Sequence, residues 1–322
     1  MTEPEETEFR AISENFFEKD WQTRFDVYYQ VPIQGKKKYI KFGEYNPNDY
    51  SRLVDILQEK NNEVFYIKET DLFKYYQHNI LKNLMLNLVR DRPHAKETFS
   101  RVYPVACRIL QDYMEFPTSD EFLKLLDDIP DILIKTIEKR NLPLHQIYSV
   151  ASRDNTVHNH CVNVGFYCLC LGREMEMSRE ELKEICLGGL LADIGMKYIP
   201  REVRLKQEKL SATDLQAIRR HPSVGKKALN DTKHYSDTVL RMAGEHHESF
   251  DGTGYPLSYS RDRINRGGRI CKIADVFNAL TRRRSYGKMM SPQEALNLMK
   301  NKMGSQFDPD LLATFITYAG KR

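Results

Sequence analysis

Apolar positions recur along this chain with two different periods, and the change of period divides it. Between Phe25 and Ile67 short alternating runs predominate. FDVYYQVP reads as a strand, Gln34-Gly35 as a turn, KKYIKFG as the returning strand and EVFYI as another. Asn48 or Asp49 can cap a short helix, DYSRLVDILQEK, and ETDLFKYYQHNILKNLML opens a long helical region. From about residue 77 the period becomes helical, with Leu81, Leu84 and Leu88, then Leu123, Leu126, Ile129 and Ile132. Pro93, Pro104, Pro117 and Pro130 break or re-aim this stretch. Beyond residue 140 no strand is convincing. Ser178-Arg-Glu-Glu181 is a capping box before an apolar helix, and Ser211-Ala-Thr-Asp214 repeats the logic. Ser236 can cap the helix that runs into His246 and His247.

These patterns predict an α+β chain. Residues 1–20 read as a mobile arm. Residues 21–76 form a small N-terminal α/β regulatory domain of ββαβα order, and 77–139 a helical connector suited to packing, to signal relay or to homodimerisation. Residues 140–322 form an all-α domain. Lysines 36 to 38 read as a solvated hairpin tip, and nothing in the N-terminal domain looks catalytic.

Composition narrows the class. The 322 residues are 41% hydrophobic, enough for real cores in two domains, and the net charge of +4 makes no case for a nucleic-acid polymer as partner. No apolar run approaches the ~20 residues needed to span a bilayer. The start, MTEPEETEFR, has neither the basic nor the apolar region of a signal peptide, so a cytoplasmic protein is expected. The six cysteines form no CxxC pair and lie mostly in apolar stretches, as reduced core thiols do. The CxC at Cys168 and Cys170 is the exception that could pair on a metal.

The chemistry concentrates around His246-His247-Glu248-Ser249-Phe250-Asp251-Gly252-Thr253-Gly254-Tyr255-Pro256, two imidazoles at a helix end followed by a turn rich in glycine. Six of the nine histidines lie between 158 and 247. His160 shares a helical face with Val157, Val164, Cys168 and Leu171. Asp193 ends ICLGGLLAD, His221 follows DLQAIRR, and Asp275 sits inside RICKIADVFNAL. Taken singly, each fits a hydrogen-bonded core position. Together they put imidazoles and carboxylates toward one helical core, where a buried carboxylate needs a partner or a cation. A donor set without thiolate suits iron or manganese, with zinc left open. A carboxylate such as Asp193 can bridge two metals, the arrangement that clamps an in-line displacement at phosphorus.

The order His160, Ala192-Asp193-Ile-Gly, His221-Pro-Ser-Val-Gly, HHESFDGTGYP and Ile273-Ala-Asp275-Val-Phe-Asn-Ala-Leu resembles the HD-GYP family, as do Arg284-Ser285-Tyr286 and Phe307-Asp308-Pro309. The resemblance covers residues from about 140 to 322. It implies an all-helical bacterial signalling domain that hydrolyses cyclic di-GMP to pGpG or GMP on two divalent metals, or three in some members. The implied ligands are His160, Asp193 and Asp275 for one metal and Asp193, His221, His246 and His247 for the other, with Asp193 also the central catalytic carboxylate. By the same resemblance Arg284, Lys288 and Tyr255 contact substrate phosphate or shape its pocket. The loop Gly254-Tyr255-Pro256 is a docking point for GGDEF-domain proteins, and Glu248 and Asp251 orient the histidines from behind. The ββαβα segment resembles, less specifically, an N-terminal module found on some HD-GYP proteins.

Three departures matter. Ala192 stands where the family has the first histidine of His-Asp, so one metal loses a ligand and its site is weak or empty. Gly195 is followed by Met196 where the family has a phosphate-binding lysine. Lys197 comes one position late, a rotation of about 100° on a helix. Thr156 stands where three-metal members carry a glutamate, which points away from a third metal. The sequence therefore supports an HD-GYP-type metal-binding domain that acts on or binds cyclic di-GMP, its phosphodiesterase chemistry impaired. A non-catalytic cyclic di-GMP sensor or scaffold is the alternative, and a hydrolase of another phosphoester a further one.

Overall fold

The computed structural model describes residues 8–12, 25–33, 36–41, 65–115, 120–137, 143–151, 156–204, 206, 208–282 and 289–320. The chain divides into two compact units, Met1–Arg92 and Pro93–Arg322.

The first unit carries an antiparallel sheet of strands β1 (Phe9–Ile12), β2 (Val27–Ile33), β3 (Lys36–Lys41) and β4 (Phe65–Lys68), in the order β1-β4-β2-β3. Strands β2, β3 and β4 lie where alternation placed them. Strand β1 lies inside the segment expected to be a mobile arm. Phe9 and Ile12 are buried, and Phe9 pairs with Lys68 and Ile12 with Phe65. Four residues are too short for alternation to stand out from an acidic, polar surrounding. The expected Gln34-Gly35 turn and the helix DYSRLVDILQEK lie outside the described residues. After β4 the chain is helical through Leu72–Tyr75, a π-helical stretch Tyr76–Leu81, and α1 (Lys82–Asp91).

The second unit begins inside the expected connector. Helices α2 (Ala95–Glu115), α3 (Asp128–Ile137) and α4 (Leu144–Val150) belong to the same compact body as the rest, so 77–139 is not one separate connector. The reason is apolar surface: Phe99, Val102, Ile109, Leu110 and Tyr113 on α2 are fully or almost fully buried, and a face of that size must find a partner. Phe99 meets Phe166 edge-on with ring centroids 4.8 Å apart, which ties α2 to α5 (Val157–Glu174).

Helix α5 is buried without interruption from His160 to Gly172 and forms the axis of the unit. Helix α6 (Arg179–Leu190) packs along it, started by the Ser178–Glu181 capping box that the sequence indicated. The Ser211–Asp214 box starts α7 (Ala212–Ile218), α8 (His221–Asp231) follows, and Ser236 caps α9 (Asp237–Glu245). Helix α10 (Arg266–Thr281) lies against α5, held by Tyr167 on Phe277 at 5.3 Å and by Phe277 on Phe315 of α12 (Pro309–Gly320) at 5.2 Å. Helix α11 (Pro292–Lys302) completes the unit. All six cysteines are buried free thiols, Cys168 and Cys170 included, as expected of core residues. Among the described residues no helix is long and apolar enough to cross a membrane.

Candidate metal centre

Five elements deliver the cluster. His160 comes from the first turns of α5. Asp193 comes from the turn after α6, His221 from the first position of α8, His246 and His247 from the end of α9, and Asp275 from the middle of α10. Close backbone approach sets Asp193 against His221. A Cβ at Gly195 would lie 2.0 Å from the His221 carbonyl oxygen and 2.7 Å from the Gly225 nitrogen, so only glycine lets this turn sit on α8.

Around Asp193 lie side chains that could hold a cation. Its Oδ1 is 3.0 Å from His221 Nε2 and 3.5 Å from His246 Nε2, and its Oδ2 is 3.3 Å from His160 Nε2. His160 Nε2 also lies 2.9 Å from Asp275 Oδ1, and His247 Nδ1 is 3.7 Å from Asp275 Oδ2. Donor atoms of Asp193, His221, His246 and His247 all fall within 4.8 Å of one another. His221 Nδ1 donates to the Ile218 carbonyl at 2.7 Å and His246 Nδ1 to the Ala243 carbonyl at 3.0 Å. A carbonyl oxygen only accepts, so the hydrogen of each neutral ring is on Nδ1. The two Nε2 lone pairs then face each other at 3.1 Å beside a carboxylate oxygen. Such a convergence of acceptors is satisfied by added protons or by a shared cation. The donor set fits a divalent metal on this ground.

Electrostatics agree. Burial opposes ionisation of Asp193, but the neighbouring imidazoles of His221, His246 and His160 outweigh it and hold the carboxyl well below its usual range. Asp275 is lowered too, with burial again overcome by His160 and His247. Burial, reinforced by His246 alongside, keeps His247 neutral, so its ring retains an open lone pair. On the far side of His160, Nδ1 lies 2.6 Å from Asn278 Nδ2, and Asn278 Oδ1 in turn accepts from Asn163 at 3.0 Å. These two buried asparagines escaped the sequence reading. Only the spacing of three between Asp275 and Asn278, one helical turn, could have flagged the second.

The GYP loop closes one side. Tyr255 stacks on His247, with ring centroids 4.7 Å apart and planes at 24°, and the Arg219 guanidinium lies 5.2 Å from the Tyr255 ring. Tyr255-Pro256 is a cis peptide. Glu248 and Asp251 were expected to orient the histidines; their bonds go to the loop instead. Buried Glu248 accepts the N–H groups of Leu257 at 2.6 Å and Tyr259 at 3.0 Å. Asp251 accepts from Thr253 and from Ser305 Oγ at 2.8 Å. The carboxylates shape the loop because its backbone N–H groups turn inward and need acceptors. A Cβ at Gly254 would lie 2.3 Å from the Ser249 nitrogen, which accounts for the glycine there.

His160, Asp193, His221, His247 and Asp275 line a cavity of about 790 Å³. Met196 lines it, whereas the Lys197 ammonium stacks 3.8 Å over the Tyr113 ring. The shift of one position therefore does turn the lysine onto α2. Ala192 is buried. The expected phosphate contacts Arg284 and Lys288 lie outside the described residues. Three cations that the sequence reading passed over, Arg204, Lys206 and Arg282, line the cavity, and Lys206 is paired with Asp214.

Comparison with known proteins agrees with this geometry. Residues 135–311 match the family model of the HD domain. A cyclic di-GMP phosphodiesterase of Pseudomonas aeruginosa is 30% identical over 193 residues, covering 60% of this chain and 46% of that protein. A 3'3'-cGAMP-specific phosphodiesterase of Vibrio cholerae is 32% identical over 173 residues, covering 51% of this chain and 40% of its own length. The chain thus spans about half the length of these relatives or less. In fold, an HDG"Y"P protein from Bdellovibrio bacteriovorus is similar over 95% of this chain and 98% of its own, with a TM-score of 0.64 at 18% identity. With the family model matched over more than half of its length and the metal-ligand motifs gathered at one centre, this chain belongs to the HD domain family, as a member of the HD-GYP type.

Proposed function

We propose that this chain is a metal-dependent cyclic di-GMP phosphodiesterase of reduced activity. The observation that carries the reading is the convergence of Asp193, His221, His246 and His247 at the wall of a cavity of about 790 Å³, lined by all of them but His246 and of a size suited to a small-molecule ligand. The substrate class comes from the relatives, which act on cyclic di-GMP or a related cyclic dinucleotide.

Asp193, His221, His246 and His247 would hold one divalent metal, and His160, Asp193 and Asp275 a second. Iron or manganese suits these donors. The metal, when bound, supplies Lewis-acid activation of water and neutralises charge at phosphorus. The chain's own groups do the rest. Asp193 stays ionised at the centre, His247 stays neutral, and carbonyl partners fix the rings of His221 and His246 so that Nε2 faces inward. Tyr255 covers the His247 ring and walls the cavity. Impairment follows from Ala192, which offers no ligand to the three-donor site, and from Lys197, whose charge rests on Tyr113. The same two features favour a second reading, a cyclic di-GMP sensor without turnover. In either case the GYP loop would be the surface offered to GGDEF-domain proteins, the N-terminal domain the regulatory part, and the helices of residues 77–139 a means of homodimerisation.

The test is cyclic di-GMP turnover, followed by chromatography, in protein reconstituted anaerobically with ferrous iron and separately with manganese. Slow turnover that is abolished in Asp193→Ala and rises in Ala192→His is the expected result. Tight nucleotide binding without turnover, in the wild type and in Ala192→His alike, would favour the sensor.

A further inference from the structure

We infer that Arg204 and Arg282 supply the phosphate-binding charge of this cavity, in place of the lysine that turns away from it. The inference rests on the reading of the site as one for a phosphodiester, and deepens it.

Both arginines line the cavity that holds His160, Asp193, His221, His247 and Asp275. Arg204 closes the short helical turn Arg201–Arg204. Its Nε donates to the Ile199 carbonyl at 3.1 Å, which fixes the plane of the guanidinium and leaves its two terminal nitrogens to other acceptors. The side chain is half-buried, and although Glu115 and Arg201 both act on its charge from a distance, no ion pair to Arg204 is found among the described residues. A partly desolvated guanidinium in that condition seeks an anion, and its planar fork matches two phosphate oxygens. Lys206, two residues on, contrasts with it: its ammonium lies 2.6 Å from Asp214 and is already neutralised. Glu208 also borders the cavity but is exposed.

Arg282 caps the C-terminal end of α10, seven residues after Asp275, where the backbone leaves the helix in an extended conformation. Its backbone N–H closes the last turn on the Asn278 carbonyl at 3.1 Å. Helix α10 and its C-terminal cap thus bring a proposed metal ligand and a cation to the wall of one cavity. A bridged dinucleotide has two phosphates to neutralise, and two arginines at separate points of the wall suit one phosphate on the metals and its partner beyond them.

The experiment uses the full chain loaded with manganese and measures affinity by calorimetry for two probes, inorganic phosphate and cyclic di-GMP. Variants are Arg204→Ala, Arg282→Ala, the corresponding lysine variants, and Arg204→Ala combined with Met196→Lys, which returns a cation to the cavity wall. Expected is a loss of about tenfold to a hundredfold in affinity for cyclic di-GMP in each alanine variant. Lysine should restore part of it, as should Met196→Lys, and manganese stoichiometry and thermal stability should stay unchanged. Wild-type affinity for both probes in folded Arg204→Ala and Arg282→Ala overturns the inference while leaving the phosphodiester reading intact. Loss of stability and of metal together, without rescue by lysine or by Met196→Lys, also overturns it, since that is the signature of a structural role. If the wild type binds phosphate through these arginines but takes no cyclic dinucleotide, the phosphate assignment stands and the substrate reading fails.

Discussion

His221 and His246 point their Nε2 atoms at each other across 3.1 Å, while each spends its Nδ1 hydrogen on a backbone carbonyl just before it in the chain. The carbonyls belong to Ile218 and Ala243, each three residues before its histidine. Local backbone geometry, the α7–α8 junction for His221 and the end of α9 for His246, therefore selects the tautomer that presents Nε2 inward. The pair would form half of the proposed metal site, and it competes for protons.

That competition has a definite sign. Burial disfavours a charged His221 ring, but the Asp193 carboxylate outweighs it and raises the group above 6.5. Folded metal-free protein thus holds this proton to higher pH than the unfolded chain does. The stabilisation is complete below 6.5 and is lost as pH rises through the raised value. A divalent ion needs the same lone pair, so its affinity should strengthen over that window, with proton release. Manganese titrations at about pH 6 and about pH 8, in buffers of different ionisation enthalpy, check both the direction and the proton count. Affinity independent of pH would contradict the arrangement.

Gly195→Ala should be destabilising by about 3 kcal/mol, because its methyl group would meet the His221 and Gly225 backbones rather than a movable side chain. Separating the turn from α8 also separates Asp193 from His221, so metal affinity should fall with stability. Denaturant unfolding with and without manganese measures the two together.

Glu248 holds two N–H groups of the loop, and leaving them buried without an acceptor should cost about 2–4 kcal/mol in Glu248→Ala. Tyr255 should then lose its stacked position on His247. Because Glu248 takes no direct part in the cluster, metal content should persist while cyclic di-GMP binding weakens. Metal analysis and nucleotide calorimetry on one sample separate the effects.

Asn278→Ala removes the amide beside His160 Nδ1. Affinity at the three-donor site should drop by about tenfold to a hundredfold, the usual effect of losing a group that orients a ligand. The site on His221, His246 and His247 should be spared, so the stoichiometry at limiting manganese falls by one ion per chain when both sites are filled in the wild type. Equal loss at both sites would show that Asn278 supports the core rather than His160.

What the sequence determined by itself was whatever is written in local terms. The periods of 2 and 3.6 placed β2, β3, β4 and the helices, because side-chain direction follows backbone geometry. The capping boxes at Ser178 and Ser211 were legible because their partners are three residues apart. The residues proposed as ligands, His160, Asp193, His221, His246, His247 and Asp275, stood out in the sequence because polar residues on apolar helical faces are costly without a partner. Tertiary structure decided the rest. Strand β1 exists because β4, more than fifty residues away, pairs with it. Glu248 turned out to hold the loop because its acceptors were needed by Leu257 and Tyr259, whose N–H directions no local pattern encodes. Lys197 faces Tyr113, and Arg204 and Arg282 face the cavity, because the packing of α2 and α10 around α5 fixes where each rotation of one residue leads. Chain-distant contacts are set by the closure of the core, and a charge's role depends on which side of that core it comes to face.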